Sequence, residues 1–79
     1  MNRQQIDKAL EELIKAVSET ADYSSSMDLS DDLGLSSIDV MNLFTACKSR
    51  FSVKIPAKQL RTISTPDDLA DYIEANMQE

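Results

Sequence analysis

Apolar side chains return every three or four positions along nearly all of this chain, and no stretch sustains a two-residue alternation; that period commits the 79 residues to packed helices. Ile6, Leu10, Leu13, Ile14 and Val17 fall at helical spacing, with Asp7, Lys8, Glu11, Glu12, Lys15 and Glu19 on the other side, which predicts an amphipathic helix over residues 3 to 18. Ile38, Met41, Phe44, Cys47 and Phe51 define a second helix that starts at Ser36 or Ser37 and ends near residues 50 to 52. Pro56 keeps Ile55 out of helical geometry, so SVKIP breaks the pattern. The AKQLRT that follows has room for one short helical turn.

In STPDDLADYIEANM, Thr65 is a predicted N-cap and Pro66 fills the first helical position, where its missing N–H costs nothing. Asp67 and Asp68 then sit where the helix dipole favours anions. Leu69, Tyr72, Ile73 and Met77 supply the inward stripe. The expected fold is therefore all-α: a small four-helix bundle of three main helices plus one short helix, in a single domain over residues 1–79. A chain this short builds only one small core.

Several chemistries are excluded by composition. Cys47 is the only cysteine, so neither an intramolecular disulfide nor a cysteine-based metal cage can form. Histidine is absent, which removes the imidazole base that serine and cysteine nucleophiles use. The chain is not expected to be an enzyme. Cys47 lies on an apolar stripe and reads as a small buried hydrophobe. Net charge is −6, which repels nucleic acid and anionic membranes and favours protein partners with basic surfaces. Without an apolar run of ~20 residues or an export-type leader, a cytoplasmic monomer is expected.

The stretch between the first two helices, ADYSSSMDLSDDLGL, has a loop composition and is long for so small a domain. It runs into SSID, where Ser36 followed three residues later by Asp39 has the form of a capping box, with aspartate in the usual glutamate position. Asp28, Ser30, Asp32 and Asp39 also fall at positions 1, 3, 5 and 12 of an EF-hand-like calcium loop. Against that reading, the sixth position is Leu33 where glycine is needed, and the twelfth is a short aspartate.

DDLGLSSID followed by a helix, the KIP break and a Thr-Pro helix start resembles the acyl carrier protein family. Asp32-Leu33-Gly34 matches its Asp-Leu-Gly, Leu35 and Ser36 take the two variable places, and Ser37-Ile38 matches the modified serine and its aliphatic neighbour. Phe51, Ile55-Pro56 and Tyr72-Ile73 extend the likeness over nearly the whole chain. The resemblance implies that Ser37, three residues after Gly34, is modified with 4′-phosphopantetheine by a separate phosphopantetheinyl transferase, and that the arm's thiol carries acyl groups as thioesters for fatty-acid, polyketide or related specialised enzymes. It further implies docking of basic partner surfaces at Asp31, Asp32, Asp39 and Asn42, and a cargo cavity bounded by inward-facing Ile38, Met41 and Phe44. Ser36 replaces the family's usual aspartate, and Lys48, Ser49 and Arg50 make the distal half of the second helix less acidic than is usual, which points to a dedicated carrier. An aminoacyl or peptidyl carrier, and a carrier-like adaptor that is never modified, are the related alternatives; the calcium module is the contrasting one.

Overall fold

The computed structural model describes residues 2–18 and 23–77. Residues 19–22, which include Glu19 of the expected first helix and the start of the ADYSSSMDLSDDLGL stretch, and residues 1, 78 and 79 lie outside the described residues. Three α-helices and one 3-10 segment follow in order: α1 (Arg3–Ser18), α2 (Ser37–Phe51), the 3-10 helix (Ala57–Arg61) and α3 (Pro66–Asn76). Among the described residues there is no strand. The short fourth member of the expected bundle is a five-residue 3-10 helix.

Each α-helix opens on a reciprocal cap, in which a side chain and a backbone amide at each end of one turn serve one another. Asn2 Oδ1 accepts the Gln5 amide and Gln5 Oε1 accepts the Asn2 amide, both at 2.9 Å. Ser36 and Asp39 do the same for α2, and Thr65 and Asp68 for α3, where Pro66 occupies the first helical turn. Helix α2 ends with Ser52 in the left-handed region at φ 58°, its amide donating to the Lys48 carbonyl at 2.9 Å. A serine in that conformation carries no sequence signal of the kind glycine gives.

Helix α1 is the hub, packing against both α2 and α3, while the 3-10 helix packs against α2. Ile6, Leu10 and Ile14 from α1 meet Leu43 and Cys47 from α2 and Leu69 and Ile73 from α3 in a single core. Arg3 ties α1 to α3 at the rim. Its guanidinium reaches Asp7 at 3.0 Å, Asp71 at 2.6 Å, and Asp67 and Glu74 at 3.5 Å. Tyr72 and Met77, expected to point inward, are half-buried at the edge of the core, and Pro66 and Ala70 join Leu69 and Ile73 at the interior positions of α3.

The α2 stripe needs a larger correction. Ile38 and Met41, expected to face the core, are 71% and 45% exposed, whereas Phe44, Cys47 and Phe51 are buried together with Val40 and Leu43. The reason is helical geometry: steps of three residues fall short of a full turn by roughly 60°, so a 38-41-44-47 series winds around the helix instead of staying on one face. Ile38, two positions before Val40, ends up on the side opposite the core.

Candidate functional site

The segment before α2 is a long loop held down by its own leucines. Leu29, Leu33 and Leu35 are buried in the common core. The Leu29 amide donates to the Ser64 carbonyl at 2.8 Å, the Leu35 amide to the Leu29 carbonyl at 2.9 Å, and the Asp67 amide to the Ser25 carbonyl at 3.0 Å. The loop is thereby stitched to the entrance of α3. Gly34, at φ +70°, makes the turn that delivers the chain to α2, and a side chain there would be strained by the backbone even though nothing stands within 4 Å.

The two adjacent serines have different surroundings. Ser36 is the N-cap: its hydroxyl accepts the Asp39 amide at 3.2 Å while Asp39 Oδ2 accepts the Ser36 amide at 3.1 Å. Ser37 is the first residue of α2, exposed, and no group among the described residues hydrogen-bonds its hydroxyl. The amides of Ser37 and Ile38, in the first turn at the positive end of the helix dipole, have no acceptor among the described residues. An accessible alkoxide-forming oxygen beside unfilled helix-end amides suits a phosphodiester linkage. Ser37 also borders a hollow of about 130 Å³ with Leu29, Val40, Leu60 and Ile63 as its apolar lining and Asp28, Ser30 and Ser64 as its polar lining. None of Ile38, Met41 and Phe44 lines it; Met41 and Phe44 instead line a second hollow of about 170 Å³, farther along α2.

The carboxylates of the opening loop serve the backbone. Asp28 Oδ1 accepts the amides of Ser30 at 2.8 Å and Asp31 at 2.9 Å, and Asp32 Oδ2 accepts the Asp28 amide at 2.7 Å. With Asp39 occupied in the α2 cap, the four residues of the calcium reading are spread over two turns and a helix start, and among the described residues no three potential metal ligands converge. Asp31, Asp32 and Asn42 are exposed, and Asp39 is half-buried. Cys47 is fully buried, and burial pushes its thiol up to about 12, so it is no nucleophile at neutral pH.

The family described as phosphopantetheine attachment site matches residues 4–73, which contain the whole of this arrangement. The chain belongs to the acyl carrier protein family. Members of the family are carriers rather than enzymes. An acyl carrier protein of Acidothermus cellulolyticus is 28% identical over 75 residues, covering 92% of this chain and 89% of its own. One of Porphyromonas gingivalis is 34% identical over 59 residues, covering 75% and 76%. One of Helicobacter hepaticus is 41% identical over 46 residues; there, as with the relative from Wolinella succinogenes, the match spans 60% of the relative's length. The acyl carrier family's covalent group is 4′-phosphopantetheine, and the helix-end geometry at Ser37 fits it.

Proposed function

We propose that Ser37 is the attachment residue and that this protein ferries acyl groups between enzymes of a fatty-acid, polyketide or related specialised pathway. The observation that carries the assignment is the division of labour between the two serines: Ser36 is spent on the capping box, and Ser37 presents an unengaged hydroxyl one residue later. In the attachment step the Ser37 oxygen bonds to the pantetheine-side phosphorus of coenzyme A, the bond from that phosphorus to the bridging oxygen breaks so that adenosine 3′,5′-bisphosphate leaves, and a transferase base takes the hydroxyl proton. When bound, the group supplies a terminal thiol that holds acyl units as thioesters. Residues of this chain do the rest: the α2 amides receive the phosphodiester charge, and the hollow beside it, walled on one hand by Leu29, Val40, Leu60 and Ile63 and on the other by Asp28, Ser30 and Ser64, borders the near part of the arm.

Partner enzymes with basic surfaces would meet Asp31, Asp32 and the exposed edge of Asp39, next to the attachment point. The test is intact mass after incubation with coenzyme A and a broadly tolerant phosphopantetheinyl transferase. The unaltered protein and Ser36→Ala gain one phosphopantetheine, and Ser37→Ala gains none. A modified Ser37→Ala protein would move the site elsewhere.

A further inference from the structure

All fourteen carboxylates of this acidic chain lie outside residues 40–66, a stretch that contains five of its eight cations: Lys48, Arg50, Lys54, Lys58 and Arg61. All five are exposed, and none forms an ion pair among the described residues. Arg50 turns toward α1, where it borders a shallow hollow with Gln5, Lys8 and Glu12. Lys48 and Lys54 turn the other way and flank the hollow of about 170 Å³ formed by Met41, Phe44, Thr45 and Ile55. Lys58 and Arg61 lie on the 3-10 helix packed beside it.

This groove takes in Met41, one of the two large apolar side chains exposed among the described residues. Ile38 and Met41 are the large hydrophobic side chains exposed among the described residues, and both stand on α2. Met41, Thr45 and Lys48 follow one another along a single helix face at four- and three-residue spacing, ending in positive charge. Buried Phe44 forms the inner wall and Ile55 the far side. The space is sized for one apolar side chain, with two lysines, Lys48 and Lys54, in its lining.

We infer that the Met41–Phe44–Ile55 groove with Lys48 and Lys54 is a docking site for an acidic segment of a partner protein, one that seats an apolar side chain between carboxylates. Charge complementarity selects this occupant. A polyanion such as nucleic acid or a membrane is repelled at a distance by the net charge of −6 and gains nothing from an apolar recess. A short acidic segment meets the local field of the lysines, which is felt within about 10 Å at ordinary ionic strength, and buries its anchor as well. The charge along α2 thus changes sign between Asp39 and Lys48, so a partner aligned on the helix must carry the opposite gradient, basic toward Ser37 and acidic beyond Met41.

The site is independent of Ser37 modification, so the experiment uses the Ser37→Ala protein as bait for a displayed library of random peptides, alongside the same bait carrying Lys48→Glu and Lys54→Glu. The expected result is a peptide set, acidic with one central Leu or Phe, that binds the first bait and loses about tenfold or more in affinity on the second. The amides of Met41, Thr45 and Ile55 should shift on titration with these peptides. No peptides lost on charge reversal, or a lost set that is basic or uncharged, would overturn the inference. Reversal-sensitive binding of the bait to phosphatidylserine vesicles, or to a second copy of itself, in preference to the acidic peptides would overturn it equally.

Discussion

Ser36 and Asp39 each satisfy the other's backbone amide, at 3.2 and 3.1 Å, and by doing so close α2 one residue before the serine proposed to be modified. Because the cap uses Ser36 alone, stability and modification should separate cleanly between neighbouring positions. Ser36→Ala is expected to lower stability by about 0.5–2 kcal/mol, and Ser37→Ala by about 0.5 kcal/mol or less. Urea unfolding of the two variants checks this; equal losses would mean that Ser37 also holds the helix end.

Phe44 and Ile38 are both apolar residues of α2, yet one is 4% and the other 71% exposed. Phe44→Ala should cost about 3–5 kcal/mol, since it removes an aromatic side chain from a packed site. In a domain this small that is a large share of the total. Ile38→Ala should stay within about 0.5 kcal/mol of the unaltered protein, because its side chain is mostly in water in both states. Denaturant midpoints of the two variants decide the matter, and a costly Ile38→Ala would contradict the orientation of α2.

Alkaline pH should weaken the fold. Burial raises the Cys47 thiol from 9.0 to about 12; Tyr23 rises from 10.0 to about 12, first by burial and then through the nearby carboxylates of Glu11, Asp7 and Asp67. Both groups hold their protons more tightly in the native state than in the unfolded chain. Their contribution is therefore fully present below pH 9.0 and is lost as pH climbs toward about 12. Melting temperature should fall across that window, and Cys47 should react with a thiol reagent only after unfolding. Rapid labelling of the native protein at neutral pH would show that Cys47 is not enclosed.

Much of this protein is written in local sequence. The three helices, the break at Pro56, the caps at Ser36 and Thr65 and the Asp32-Leu33-Gly34 approach to Ser37 were all legible, because each depends on residues within about one turn of one another. The Asn2–Gln5 cap had the same local form and could have been found the same way. The inward side of α2, Val40, Leu43, Phe44, Cys47 and Phe51, also lies at local three- and four-residue spacing, whereas the 38-41-44-47 series drifts around the helix; tertiary structure decided between the two by packing α1 against the first. It also decided that the hollow beside Ser37 is built from Leu29, Leu60 and Ile63, and that Arg3 reaches carboxylates at positions 67, 71 and 74. Those partners are far apart in the chain. No period or propensity encodes them, because such contacts exist only once separate helices have packed against α1.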